Sequence, residues 1–239
     1  MRKLLIFTSI VAFALSSMQA QNLDQILKDH YKASGQEKMT KVKTIITKGI
    51  STYAIAGIEA PLSLYQARPN RVRMQAEFQG SKIVTTFNGT TGWMYAPAMG
   101  ISQPQELGGD ELKSVLDQAN FESPLWNYKE KESTVELAGS SDDGSAHKVK
   151  LTKKDGELLT ILIHKKSHLI TGMISVQVMG GAEAEVEITM KDYKSVKGIQ
   201  TPYYMATKMD GEIMSTIVIE SIVYDKAIDP ALFEKPVVE

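Results

Sequence analysis

Histidine is the residue type in this chain best suited to hold a metal ion or to move a proton, and the sequence has four of them: His30, His147, His164 and His168. His164 and His168 are four residues apart, a spacing that places two side chains on one face of a helix. The residues around them are typical of a strand and a turn instead, where the two side chains would lie about 13 Å apart. That distance is too long for one metal ion, so we expect no metal site.

Other side chains that commonly do covalent chemistry are absent or poorly arranged. The chain has no cysteine, which excludes disulfides, thiolate ligands and a cysteine nucleophile. It has neither a Gly-x-Ser-x-Gly nucleophile elbow nor a glycine-rich phosphate loop that opens a helix. Glu183, Glu185 and Glu187 alternate with apolar residues, which indicates the solvated face of a strand. We expect no catalytic residue, no cofactor and no enzymatic activity.

The charge of the chain gives no sign of a nucleic-acid partner. The 239 residues include 27 Lys and Arg and 28 Asp and Glu, a formal net charge of −1. Proteins that bind nucleic acids concentrate Lys and Arg to neutralise phosphates. We therefore expect no nucleic-acid partner.

Two groups of residues stand out from this background. Arg68, Arg71 and Arg73 flank the turn at Pro69 and Asn70. Arg68 precedes a proline and so has an extended backbone, from which its guanidinium either reaches carbonyls and carboxylates of a neighbouring segment or forms an ordinary surface ion pair. Arg71 and Arg73 share one strand face and are expected to point to solvent. The chain also has 12 Met, which suit either an adaptable apolar site or gaps in a core.

Residues 1–20 have the pattern of a secretory signal peptide. Arg2 and Lys3 precede an uncharged run of 12 residues, and the small residue Ala20 follows. As a helix this run is about 18 Å long, short of the roughly 30 Å of a bilayer core, so a permanent membrane anchor is the weaker interpretation. We expect cleavage after Ala20. Gln21 stands where a lipoprotein needs cysteine, so residues 21–239 are expected to form one exported domain without a lipid anchor.

Hydrophobic periodicity predicts a mainly β chain with a few helices. Asn22 is expected to cap a helix from Leu23 to Ser34. From residue 43 onward, apolar residues recur at every second position and turn pairs such as Asn88-Gly89 separate the runs. The predicted strands are 43–54, 58–67, 70–79, 82–88, 91–96, 133–139, 145–153, 157–164, 169–178, 182–192, 200–209 and 212–224.

The alternation stops between residues 96 and 128, where a second helix is predicted. Asp110 is its expected N-cap, and its apolar stripe consists of Leu112, Val115, Leu116 and Ala119. The helix therefore belongs to an insertion of about 35 residues between two parts of the sheet.

So many short strands predict a curved antiparallel sheet that forms an incomplete β-barrel covered by helices, an α+β arrangement that is mainly β. Ala184, Val186 and Ile188 alternate with glutamates, which indicates one apolar and one polar face. Two short helices cover only part of a concave apolar face, which would leave a ligand cavity. The alternative is an interior filled completely by helices and side chains.

Two stretches of this sequence resemble the LolA/LolB-like superfamily of periplasmic lipoprotein carriers. The first is Leu64-Tyr65-Gln66-Ala67-Arg68-Pro69-Asn70-Arg71-Val72-Arg73, and the second is Phe87-Asn88-Gly89-Thr90-Thr91-Gly92-Trp93-Met94-Tyr95-Ala96-Pro97. The downstream Asp192-Tyr193, Gly198 and Pro202, and the terminal Leu232-Phe233-Glu234-Lys235-Pro236, resemble Bacteroidetes-type outer membrane lipoprotein-sorting proteins.

The resemblance implies a LolA-like half-barrel that binds acyl chains of lipoproteins or lipids and carries them through the periplasm of a Gram-negative cell for outer membrane sorting. It implies a monomer that meets inner- and outer-membrane proteins, with Arg68 holding a helical lid closed. The ligand and lid residues are expected to be Arg68, Trp93, Tyr95, Leu112, Val115 and Leu116. The alternative is a periplasmic lipid- or lipoprotein-sensing module that regulates a membrane partner.

Overall fold

The structure, a computed structural model, describes residues 22–54, 57–78, 80–179 and 182–238. The expected signal peptide and the cleavage after Ala20 lie outside the described residues. The α-helices in these ranges are α1 (22–34), α2 (Gln36–Met39) and α3 (Gly109–Ala119), and two short 3-10 helices span Pro97–Met99 and Pro230–Phe233. The strands are β1 (Thr44–Tyr53), β2 (Ile58–Ala67), β3 (Arg71–Phe78), β4 (Ser81–Phe87), β5 (Gly92–Ala96), β6 (Ile101–Glu106), β7 (Thr134–Ser140), β8 (Ala146–Thr152), β9 (Leu158–His164), β10 (Ile170–Met179), β11 (Ala182–Val196), β12 (Ile199–Met209) and β13 (Glu212–Tyr224). None of the described helices is long and apolar enough to cross a membrane.

The strands form one antiparallel sheet in the order β6-β5-β4-β3-β2-β1-β13-β12-β11-β10-β9-β8-β7. Most neighbours follow each other in the chain and are joined by short turns, as the turn pairs predict. Within the described residues, the end strands β6 and β7 each pair with one neighbour only, so the sheet is not closed into a barrel. The predicted mainly β fold with an unclosed antiparallel sheet is confirmed.

The region between β5 and α3 differs from the prediction. It contains β6, which pairs with β5, whereas the sequence indicated an insertion without strands. Pro104 removes a backbone donor, which an edge strand such as β6 tolerates. The N-cap of α3 is Gly108 rather than Asp110.

The chain packs as two compact units. The first unit consists of the described residues up to Glu37, Ser123–Met190 and Met209–Gly211, and the second consists of Lys38–Glu122, Lys191–Lys208 and the described residues from Glu212. The expectation that residues 21–239 form one domain stays a prediction.

In the first unit, α1 covers an apolar sheet face. The buried side chains that share this core are Leu23, Ile26, Leu27, Leu125, Val149, Leu151, Ile161, Ile163 and Ile170. The predicted alternation in β11 is present here, because Ala184 and Val186 are buried while Glu183 and Glu185 are exposed. Burial of these aliphatic groups is the main contribution to the stability of the unit.

In the second unit, two apolar clusters lie on the sheet. One is formed by Val42, Ile45, Phe121, Ile199, Ile219, Ile222 and Tyr224. The other, which we call the α3 cluster, is formed by Val72, Phe87, Leu107, Val115 and Ala119. Two residues of the predicted helical stripe, Val115 and Ala119, are therefore buried as expected.

Gly49 allows β1 and β13 to approach each other at a point where their register shifts. A Cβ atom at this position would lie 2.3 Å from the carbonyl oxygen of Val218. We expect Gly49→Ala to lower the free energy of unfolding by about 1–3 kcal/mol, because backbone must move to relieve the clash. Urea denaturation measures this effect. Ser102→Ala, on the exposed edge strand β6, is the control, and equal stability of the two variants would contradict the prediction.

Candidate functional site

One face of the second-unit sheet is apolar, and we call it the inner face. The strand registers align Leu64, Met74, Thr85 and Met94 in one row across β2 to β5. Leu64 and Met94 pack against the α3 cluster, so this row belongs to the face that α3 covers. Because side chains alternate along a strand, the registers assign every second residue of these strands to the inner face.

Helix α3 covers one end of the inner face. Val115 and Ala119 are buried against Val72 and Phe87, and Leu112 is partly buried beside them. Leu116, which the sequence also placed in the stripe, is 37% exposed. The apolar surface of α3 is therefore wider than the part that the sheet buries.

The apolar surface of the inner face continues beyond α3. Leu62 and Ile83 flank Ala76 in the next row of the sheet, and both are partly buried, as is Met74. Such partly covered aliphatic and thioether groups offer an adaptable surface to a flexible apolar ligand.

Arg68 connects the sheet to two segments, one at the end of α2 and one after α3. We call its contacts the Arg68 latch. Its Nε donates to the carbonyl of Val42 at 2.7 Å, and its Nη2 donates to the carbonyl of Met39 at 3.1 Å. The same Nη2 forms an ion pair with the Glu122 carboxylate, and the guanidinium lies 4.5 Å from the centroid of the Phe121 ring. One side chain therefore holds the end of α2, the segment that follows it and the residues after α3.

The latch is strong because it is partly shielded from water. The exposed fractions are 30% for the Arg68 side chain and 17% for Glu122. Charge-assisted hydrogen bonds from a planar guanidinium are stronger and more directional than neutral ones. A second contact on the same segment comes from Gln66, whose Nε2 donates to the carbonyl of Gln118 in α3 at 2.6 Å. Helix α3 is thus attached by polar contacts as well as by apolar packing.

Trp93 and Tyr95 lie on the opposite face of β5. A Cβ atom on Gly92 would lie 3.3 Å from Leu112 Cδ1, so Gly92 and Met94 face α3, and the two aromatic residues between and after them face away. Tyr95 is buried on that opposite face and Trp93 is partly buried. A role for Trp93 and Tyr95 in ligand binding stays a prediction.

The expectation that Arg71 and Arg73 point to solvent is wrong. Both are partly buried and hold the C-terminal segment: Arg73 Nη1 donates to the carbonyl of Leu232 at 3.2 Å, and the Arg71 guanidinium lies 5.9 Å from the Phe233 ring centroid. Phe233 is almost completely buried. The structure therefore brings together two motifs that lie about 160 residues apart in the sequence.

A second concave feature of this unit is an open groove of ≈ 520 Å³ along β11, β12 and β13. Burial raises the pKa of Tyr193 above its ordinary value. The Lys194 Nζ lies 4.1 Å from the ring centroid of Tyr203, a cation–π contact. The groove is bordered by three tyrosines, two aliphatic residues and two charged residues, namely Tyr193, Tyr203, Tyr204, Val218, Ile219, Asp192 and Lys194.

Sequence reasoning missed the partners of Arg68. Glu122 and Phe121 lie more than fifty residues further along the chain, and the other partners are backbone carbonyls, which carry no residue-type signal. The one signal for them in the sequence is an acidic residue, Glu122, three positions after Ala119, the last residue of the predicted stripe.

Comparison with solved structures defines the fold as LolA-like. A LolA superfamily protein from Nitrosomonas europaea matches with a TM-score of 0.56 and 12% identity over 81% of this chain and 90% of its own. A domain from Vibrio parahaemolyticus that is named as an outer membrane lipoprotein-sorting protein matches with a TM-score of 0.54 and 12% identity, over 85% of this chain and 95% of its own. A DUF1329 family protein from Desulfovibrio piger matches with a TM-score of 0.58 and 12% identity over 87% and 97%. No family model and no curated protein sequence matches this chain.

These likenesses confirm, at the level of fold, the resemblance seen in the Arg-Pro-Asn and Trp-x-Tyr stretches. At 12% identity they show the fold alone. What the inner face binds is therefore argued from the residues of this chain.

Proposed function

We propose that this protein is a carrier that shelters acyl chains of lipoproteins or lipids on the inner face, in the periplasm of a Gram-negative cell, without a chemical step. The proposal rests on the partly buried apolar surface of Leu62, Met74 and Ile83, which continues beyond the part of the inner face that α3 covers. Two of the solved structures with this fold are named for the LolA superfamily and for lipoprotein sorting, which supports the same function.

Hydrophobic burial supplies enough free energy for such binding. Each sequestered methylene contributes about 0.8 kcal/mol, so about ten methylenes offer roughly 8 kcal/mol, equivalent to a micromolar dissociation constant. Leu116 and the partly buried Leu112 add apolar surface from α3 when that helix moves aside. The Arg68 latch then sets how readily α3 moves.

A charge on the inner face tests the proposal. We expect Met74→Glu to weaken the binding of a fluorescent fatty acid by about tenfold or more, because the acyl chain would desolvate the new carboxylate. Glutamate is close to methionine in length, so the change is mainly one of polarity. Equilibrium fluorescence titration measures the dissociation constant.

The control is Val223→Glu. Val223 pairs with Ile46 on the opposite sheet face and is 42% exposed, so the new charge stays in water and binding is expected to be unchanged. Circular dichroism establishes that both variants are folded. Equal binding by Met74→Glu and Val223→Glu would contradict an acyl-chain site on the inner face.

A further inference from the structure

His30 is a buried imidazole whose two nitrogens are both engaged. Its side chain lies on α1 and is 2% exposed. Nδ1 lies 2.9 Å from the carbonyl oxygen of His168, and Nε2 lies 3.2 Å from Ser123 Oγ. A carbonyl only accepts, so Nδ1 carries the proton, and in the neutral ring Nε2 accepts from the Ser123 hydroxyl. These bonds fix α1 to the turn between β9 and β10 and to the segment before Leu125.

The groups around His30 favour a neutral imidazole over a positively charged one. Burial is the main cause that lowers the pKa of His30, the hydrogen bond to the His168 carbonyl raises it, and electrostatic repulsion from the His168 ring lowers it again. Burial is also the main cause that lowers the pKa of His147. Lys165 of the same turn also lowers the pKa of His147. From α2 comes the neutral Gln36, whose Oε1 accepts from the Ser123 amide at 3.1 Å.

The remaining ionisable neighbours do not compensate a positive charge either. Tyr31 on the same helix lies 5.7 Å from His30 between ring centroids, and its hydroxyl donates to the carbonyl of Leu125. Burial raises the pKa of Tyr31 to about 12, so this phenol stays neutral. The carboxylate of Glu122, the residue before Ser123, is already paired with Arg68.

We propose that His30 is a pH-sensitive anchor, which holds α1 on the apolar sheet face of the first unit at neutral pH and weakens that hold in acid. The anchor is independent of what the inner face of the second unit binds. Release of α1 would uncover the aliphatic residues of β8 and β9, which include Val149, Leu151 and Ile161.

The direction of the pH effect follows from the linkage between the protonation of His30 and the docking of α1. Burial lowers the pKa of His30 below its ordinary 6.5, whereas the imidazole of a released α1 takes up a proton near 6.5. The docked position of α1 is therefore most stable above pH 6.5, and its stability falls as the pH drops from 6.5 towards the lowered pKa of His30. Within that window the equilibrium constant for release rises by up to about tenfold per pH unit.

Trp126 offers a local readout, because its ring packs edge-on against Tyr31 of α1 with centroids 4.9 Å apart. In a Trp93→Phe background it is the single tryptophan of the chain. We expect Trp126 fluorescence to change as the pH falls below 6.5, and the same change to be absent in His30→Asn, whose amide still donates to the carbonyl of His168. His164→Gln, at the last residue of β9, where the imidazole bonds Ser167 and not His30, is the control and keeps the wild-type profile.

Two further measurements cover the case in which His30→Asn does not fold. An NMR titration of His30 in the otherwise unchanged protein is expected to give a midpoint below 6.5 that coincides with the fluorescence change. Ser123→Ala removes the donor to Nε2 of the neutral ring, so it is expected to move that midpoint to higher pH. A His30 midpoint at or above 6.5, or a fluorescence profile that is the same in folded His30→Asn, would overturn the proposal.

Discussion

Arg68→Leu is expected to take up acyl chains and then fail to pass them on. In the structure the guanidinium bonds the carbonyls of Met39 and Val42 and pairs with Glu122. Under the proposed carrier function, re-forming these contacts would compete with bound cargo and favour its release. Without them the cargo-bound state is favoured, so we expect affinity to rise by about tenfold and transfer to acceptor membranes to fall by a similar factor.

The measurement uses a fluorescent fatty acid in two steps, equilibrium binding to the protein and then transfer to lipid vesicles. Arg68→Lys keeps the charge but loses the planar fork, so it should lie between the wild type and Arg68→Leu. Lys48→Leu, which removes an exposed cation from β1, is the control and should behave as wild type. Arg68→Leu with unchanged binding and unchanged transfer would show that the latch has no part in release.

Phe233→Ala is expected to be the most destabilising single change in the second unit. Phe233 is 1% exposed in a short 3-10 helix, Pro230–Phe233, that lies against β3. Loss of a fully buried phenylalanine costs about 3–5 kcal/mol of folding free energy, from the lost burial and from the cavity that remains. The change also removes the ring beside the Arg71 guanidinium.

Urea denaturation of Phe233→Ala and of Leu232→Ala tests this expectation. Leu232 is the neighbouring residue and is 36% exposed, so its truncation should cost less than about 1 kcal/mol. The Leu232 carbonyl still accepts from Arg73 in both variants. Equal stabilities would mean that the C-terminal segment is not part of the cooperative core.

Most of the sheet could be predicted from the sequence because the signal is local. In β13 and β2 the observed bounds, Glu212–Tyr224 and Ile58–Ala67, agree with the predicted ones. Strand β6 could not be predicted, because an edge strand with Pro104 and mostly polar residues has no apolar alternation. Gly108 rather than Asp110 caps α3, and these residues, two positions apart, both suit an N-cap.

The site was less predictable because its contacts are long-range. Arg68 could be singled out, since it precedes a proline, but its partners depend on where the residues around 39–42 and 121–122 come in the fold. The prediction that Arg71 and Arg73 point to solvent is wrong for the same reason. A strand pattern gives the sheet face of a side chain but not the segment of the chain that covers that face. Which strand face carries α3 also had to come from the structure, through Gly92 and Met94.

The central claim is that the inner face holds acyl chains, and it is tested most directly on protein purified from its own cells. Native mass spectrometry gives the mass of any bound species, and lipid extraction identifies it. The account predicts an acylated lipid or lipoprotein bound to the protein. An empty protein that also fails to take up a fluorescent fatty acid would contradict it, and would mean that side chains fill the interior.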